Sequence, residues 1–373
     1  MRAVVVAAST LALSAFLVIA MILKTGMMLV PGAQTQLAVA MQLTHNPQGT
    51  HFYASYLPLA LFGILGGRTI DGYFIYSLGI TLAFVVLLSA PVIRLLRESA
   101  PEAVWKSLAL VTLPVMMVPL YWVGLDGGTL LLMTLVMTFW SHWLGLVVAG
   151  LLAWQHPEQA ICGLAILVGT LLVRRRWEDA RIALRHLAAA LTGRILLAVY
   201  LHSVGVTLPA NRAQLALGMT GDLLGMWLDG VPMILWSLFG AGWVLLISQA
   251  SRTWPVIAAT VPATAILILA ADHTRVGTII LYPALAYWVL FNREFWAHLR
   301  PAVVVASLVV YAVAPTAFVF SGLPCGSLSR ITVEQIRAHG LNVSAWDSAL
   351  SIMRRACSRD GGRAREGRSG TPG

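Results

Sequence analysis

Asp272-His273-Thr274-Arg275 stand between two apolar runs with almost no spacer. Two helices joined by so short a link form a tight hairpin, so these side chains point into a helix bundle or its mouth. An arginine there can hold a pair of phosphate oxygens, and an aspartate can take a proton from a hydroxyl. The same residues also read as a local Asp–Arg pair that only caps the hairpin. A second polar turn is Gln155-His156-Pro157-Glu158-Gln159. Pro157 suits the first turn of the next helix and Glu158 suits its dipole. That accounts for both without chemistry, while a turn facing the cavity of Asp272 would give His156, Glu158 and Gln159 a part in binding. A third group is Arg68 with Asp71, which a simple salt bridge also explains. Asp126 is a further turn carboxylate. Arg194 lies inside an apolar run, where it needs an acid or a lipid phosphate as partner. His142 reads as a satisfied buried histidine.

Such groups cost about 2.5–3.5 kcal/mol each at membrane depth, and membrane is what surrounds them. Of 373 residues, 58% are hydrophobic and 11% charged. A soluble domain carries roughly a quarter charged residues, and a soluble surface needs them. Apolar runs of spanning length recur along the whole chain. The net charge of +10 gathers in short loops and in the last stretch of chain. That excludes the continuous basic stripe of a nucleic-acid groove and fits loops held on the cytoplasmic side. No phosphate loop, dinucleotide fingerprint, HExxH, GxSxG or Cys/His metal spacing occurs.

The expected architecture is all-α, a polytopic membrane helix bundle in residues 1–321. Spans are expected at 3–23, 72–93, 107–125, 160–173, 187–204, 231–248, 255–271, 276–291 and 302–320, about nine in all. A cleaved signal is the minor alternative for the first. Basic loops around Arg94 to Lys106, Arg174 to Arg185, Arg252, and Arg293 to Arg300 share the cytoplasmic side with Arg2 on two conditions. Residues 53–66 must lie at the outer interface without crossing, and residues 129–154, interrupted at Ser141-His142, must be an outer-face hairpin of two short helices. The 272–275, 155–159 and Asp126 turns and residues 24–71 then lie outside, and so does the C-terminal tail, although its basic charge works against this. An exported tail would let Cys325 and Cys357 pair, closing a loop of about 33 residues worth roughly 3 kcal/mol; two unpaired thiols are the alternative. Residues 322–360 are expected to form a small polar segment and 361–373 a disordered tail.

The pattern resembles the GT-C superfamily of integral membrane glycosyltransferases, in its bacterial polyprenyl-phosphate mannosyltransferase-like branch. A long outer loop ends in Phe52-Tyr53-Ala54-Ser55-Tyr56-Leu57-Pro58, similar to that branch's aromatic-Pro segment. His156-Pro157-Glu158-Gln159, an apolar span and Arg174-Arg175-Arg176 resemble its polar turn, helix and basic loop. The span arrangement is the third likeness, and together they cover about residues 1–200. The departure is that residues 24–67 hold no Asp or Glu, whereas the superfamily usually carries an acid early in that loop.

The resemblance implies a lipid-linked sugar donor entering from the outer leaflet, a glycan or lipid acceptor, membrane lipids as surroundings, and no nucleic acid. Arg275, with Arg68, would stabilise the leaving phosphate. Asp71, Asp272 or Glu158 would deprotonate the acceptor. His273, His156, Gln159, Asp126 and Arg194 would bind substrate. The resemblance allows a divalent cation bridging carboxylate and phosphate, which the sequence does not demand. The expected place is the inner (plasma) membrane, multi-pass. An O-antigen-type polymerase or ligase, a lipid-linked glycan flippase and a non-catalytic scaffold remain the alternatives; Arg68 and Gly79 also fit a permissive Arg-x10-Gly spacing of such polymerases. Convergence of Asp71, Asp126, Glu158, Asp272 and Arg275 would favour the enzymes, and a polar tunnel reaching both faces would favour transport.

Overall fold

The computed structural model describes residues 2–46, 50–99, 101–206, 220–270, 272–314, 318–320 and 323–358. Helix dominates. Three helices are long and apolar enough to cross a membrane: α1 (Arg2–Thr25), α4 (Ile70–Ser99) and α9 (Trp177–Ser203). Their outward faces carry Leu11, Ile19, Ile75, Ile195 and Val199, all exposed, an apolar belt suited to lipid. A fourth crossing arises if α10 (Thr220–Phe239) and α11 (Gly242–Ser248) count as one span. They bend by 77° where residues 231–248 were expected to run straight. Gly240, with φ of 51°, sits in the break, and Trp243 Nε1 reaches back to donate to Leu235 O.

The other expected spans form shorter helices. Residues 107–125 are broken: a 3-10 helix (Pro101–Thr112) is followed by α5 (Pro114–Tyr121) and the two-residue strand β2 (Trp122–Val123). Pro114 and Pro119 each lack an N–H and so interrupt the ladder. The 129–154 stretch is two helices, α6 (Asp126–Thr138) and α7 (Trp143–Gln155), parted around Ser141-His142. His142 is not buried. It is the exposed N-cap of α7, accepting from Leu144 N at 3.2 Å. Then follow α8 (Pro157–Val173), α12 (Ala250–Leu267), α13 (His273–Leu285), α14 (Arg293–His298) and α15 (Pro301–Val313).

Within the 53–66 stretch, α3 (Tyr56–Ile64) is nine residues long, about 14 Å, too short to cross. Its aromatic lead-in is packed into the protein from Tyr53 onward, while His51 and Phe52 are half-buried. Tyr53 and Tyr56 are buried, and Tyr56 Oη sits 2.9 Å from Tyr200 Oη on α9.

Two ends of the bundle are chemically distinct. At one, the basic loops are bound to each other: Lys106 Nζ donates to Trp296 O, Gln249 Nε2 donates to Phe295 O, and Arg174 lies over the rings of Trp254 and Trp288. At the other, β1 (Met28–Leu29), just after α1, pairs in parallel with β2, which leads into Asp126. The chain after α15 returns to this second end and is more ordered than a plain polar segment. β3 (Phe318–Phe320) and β4 (Leu323–Cys325) pair antiparallel, and α16 (Ser329–His339) and α17 (Ala349–Ser358) follow. Thr332 Oγ1 donates to Met27 O and accepts from Met27 N, each at 2.8 Å. Cys325 and Cys357 are joined in a disulfide. The expected disorder at 361–373, and residues 207–219, lie outside the described residues.

The disulfide spans a sequence separation of 32, for which loop-closure entropy gives roughly 3 kcal/mol. Cys325→Ser with Cys357→Ser should therefore lower the unfolding midpoint of the detergent-solubilised protein. An unchanged midpoint under non-reducing conditions would refute that contribution.

Candidate functional site

The site begins with the sequence Leu125-Asp126-Gly127-Gly128. Asp126 opens α6, where the helix dipole favours a carboxylate. The glycines let neighbours come close. A Cβ on Gly127 would lie 2.2 Å from Thr81 Oγ1 of α4, and one on Gly128 would lie 2.8 Å from Gln155 Nε2. That amide donates to Leu125 O at 2.7 Å, which ties the 155–159 turn to the Asp126 turn. The 272–275 turn opens α13, with Asp272 at its N-cap. Thr274 Oγ1 fastens it, donating to Ser237 Oγ and accepting from Val319 N, each at 2.8 Å.

Arg275 lies between the two turns. Its Nε is 2.6 Å from Asp272 Oδ2 and 3.7 Å from Asp126 Oδ2. Its guanidinium covers the Trp122 ring at 5.2 Å. The Asp126 side chain is 2% exposed, Asp272 10% and Arg275 20%, so Arg275 is the least enclosed of the three, although its Nε is buried. Tyr121 is stacked on Phe318 at 4.3 Å and donates to Gly326 O, which joins the C-terminal strands to the site wall.

Burial pushes the Asp272 carboxyl up to about 7; Arg275 opposes this and the neighbouring Asp126 adds to it. Burial alone would lower Arg275, but the two carboxylates outweigh it and raise its pKa. His273 is fully buried with both ring nitrogens lacking a hydrogen-bond partner, and burial pushes its pKa down to about 4, so the ring is neutral.

Of the expected residues, Asp126, Asp272 and Arg275 meet in one cluster. His156 and Gln159 are buried in the adjoining turn; His156 Nδ1 lies 3.7 Å from Glu158 Oε2, and neither side-chain atom of Gln159 has a hydrogen-bond partner. Glu158 lies beside this histidine without a hydrogen bond between Nδ1 and Oε2, and it makes no ion pair with Arg275 among the described residues. Asp71 is bound elsewhere: it accepts from Ser344 N at 2.8 Å and from Ser344 Oγ at 3.0 Å. The expected Arg68–Asp71 salt bridge therefore gives way to a contact with the C-terminal segment, and Arg68 stands exposed. Arg194 is half-buried on α9, and its Nη1 lacks a hydrogen-bond partner; no ion pair brings it to the cluster among the described residues.

Trp122, Tyr121 and Gln155 were not singled out as site residues in the sequence. Trp122 and Tyr121 sat inside an apparent span, and the only hint was the pair of prolines before Asp126-Gly127-Gly128. Two carboxylates that already bracket a guanidinium are a poor donor set for a divalent ion. Among the described residues no group of three His, Cys, Asp or Glu side chains could hold a metal ion.

Compared with known proteins, the chain matches no family model, no curated protein and no solved structure.

An acid whose folded pKa exceeds its unfolded value binds more protons when folded across the interval between them. Stability therefore falls as pH rises from about 4 to about 7 through Asp272. The unfolding midpoint should drop across that window in wild type and should be flatter in Asp272→Asn. A wild-type profile already flat from pH 4.5 to 7.5, tolerances on the order of ordinary buffer effects, would contradict the shift.

Proposed function

We propose that this chain is a membrane glycosyltransferase that uses a polyprenyl-phosphate-linked sugar to build a cell-envelope glycan on the non-cytoplasmic side of the inner membrane. The observation that carries the reading is Arg275 held between Asp126 and Asp272 at the bundle end opposite the basic loops. A largely buried guanidinium is suited to a phosphate whose charge grows as the sugar leaves. Asp272, raised to about 7, is matched to accepting a proton from an acceptor hydroxyl near neutral pH. Asp126 then keeps Arg275 in place.

The arrangement supports a GT-C-like, multi-pass bundle of about nine crossings, in which the shorter helices and the bent pair complete the spans around α1, α4 and α9. The basic loops at one end fit the cytoplasmic side. Asp71 serves as a support in this reading by seating the C-terminal segment, and Glu158 contributes its charge beside His156. A polymerase or ligase would use the same phosphate and hydroxyl chemistry and differs in its product. One observation favours a flippase instead: Arg194, well inside α9, has a buried Nη1 with no hydrogen-bond partner.

The test is a deletion strain scored for accumulated lipid-linked sugar and shortened glycan, complemented with Arg275→Ala or Asp272→Asn. Loss of a charge stabiliser at a transition state costs about 100-fold or more in rate, so neither variant should restore the glycan at wild-type membrane levels. Full rescue by both ends the catalytic reading. Rescue by both combined with failure of Arg194→Ala points to transport.

A further inference from the structure

The opposite end of the bundle holds a second cavity, of about 380 Å³, that the proposed reaction does not use. α8 has 17 residues, so this end lies about 25 Å along that helix from the Asp126 turn. The walls are Trp140 after α6, Arg176 before α9, and Tyr287, Trp288, Phe291 and Arg293 after α13.

Three local features shape the cavity. First, α13 runs into one π-turn, Ala286–Leu290, closed by Phe291 N donating to Ala286 O at 2.8 Å. The wider turn presents Tyr287 and Trp288 together, and such turns often occur where a helix serves a ligand. Second, Arg175 has φ of 55° and is the non-glycine residue in the left-handed region among the described residues. Its reversal sends its neighbours apart: Arg174 lies over Trp254 and Trp288, at 5.5 and 5.7 Å, and Arg176 reaches the cavity. Third, Trp140 Nε1 is buried with no hydrogen-bond partner, although its ring is held against Tyr287 at 5.6 Å and His186 at 5.2 Å. A buried N–H without a partner costs about 1–3 kcal/mol, and a ligand oxygen recovers it once the Trp140 ring turns to meet the ligand.

Asp179 engages Arg176 through Nε and Nη2, each at 2.9 Å, and so orients it. Glu294 at the rim offsets part of the positive charge. A ligand here needs strong acceptor oxygens for guanidinium and indole donors, and it meets rings on its other side. It also sits where apolar helices give way to basic loops. We propose that this cavity binds a phosphate group, presented by the headgroup of an anionic lipid at the basic end of the bundle.

The purified full chain, delipidated in detergent, is to be offered phosphatidylglycerol, phosphatidylcholine or inorganic phosphate. Retention is read by native mass spectrometry and the unfolding midpoint by thermal scan. Phosphatidylglycerol should be retained and should raise the midpoint, and phosphatidylcholine should do neither. Trp140→Phe keeps the ring and removes the donor, which should weaken retention about 5-fold. Arg176→Ala with Arg293→Ala should weaken it about 100-fold. Equal retention of phosphatidylcholine overturns the proposal, as does unchanged phosphatidylglycerol retention in both variants. Inorganic phosphate reproducing the full effect overturns the lipid source. Because Arg275 is untouched, glycan synthesis in the deletion strain reports separately on the first site.

Discussion

A guanidinium cannot be taken out of water alone. The penalty is several kcal/mol per ion even after relaxation, and Arg275 is four-fifths buried. Much of this end of the molecule follows from that one constraint. Asp272 supplies a carboxylate from the same turn, and Asp126 supplies one from a helix that is remote in sequence. Bringing Asp126 close requires α6 to start there, which requires the chain to break after Tyr121 into β2. That strand is held by β1, so the end of α1 is fixed by the same requirement. Gly127 and Gly128 remove the side chains that would hold α4 and Gln155 away. Trp122, freed from a helix by the strand, can turn its ring face toward the guanidinium. Buried ion pairs seldom stabilise a fold more than well-packed apolar residues of the same volume would. Stability alone therefore does not explain why the cluster is kept, and one-fifth of the Arg275 side chain is still exposed.

The C-terminal segment is tied to the same assembly. Tyr121 stacks on Phe318 and donates to Gly326 O, while Thr274 is bonded to the backbone of Val319. The disulfide then holds α17 beside these strands, where Gly326 N donates to Ala356 O. Asp71 belongs to this tie rather than to Arg275. Its two oxygens accept both donors of Ser344, and Trp346 two residues on meets Phe74 at 5.8 Å. A carboxylate used in this way fixes the segment to the start of α4.

What the sequence made legible was local or depended on spacing. Asp272 and Arg275 are three apart at a helix start, so their pairing follows from the turn itself. The parting of α6 from α7 was visible because Ser141-His142 interrupts an apolar run. The distinct charge of the two ends was visible because Lys and Arg mark loops. What stayed hidden depended on contacts between distant residues. The partner of Asp71 lies 273 positions away, and nothing near Asp71 announces it. Residues 107–125 have the composition of a span, and composition does not register that Pro114 and Pro119 withhold N–H groups at two places. The bend after Phe239 had a signal, Gly240-Ala241-Gly242, but hydropathy alone passes over glycine. Tyr53 and Tyr56 suit an interface by type, yet both side chains are buried in protein: Tyr56 packs against Trp154 and Tyr200, and Tyr53 donates to the Gln42 and His45 carbonyls.

The charge pattern along the chain is also consistent with the cluster. A cytoplasmic excess of Lys and Arg is undermined by basic residues at the other end, and Lys24 and Arg275 are both there. Neither acts as a free cation. Lys24 Nζ donates to Ala312 O and Ala314 O, at 3.0 and 2.7 Å, where the closing turn of α15 leaves carbonyls without helical partners. Arg275 faces two carboxylates, one of them raised to about 7, so the cluster as a whole is neutral or negative and not positive. At the basic end the opposite holds: Arg174 has aromatic faces as neighbours, and the left-handed Arg175 separates it from Arg176. The two ends therefore differ in how their arginines are compensated as well as in how many they have.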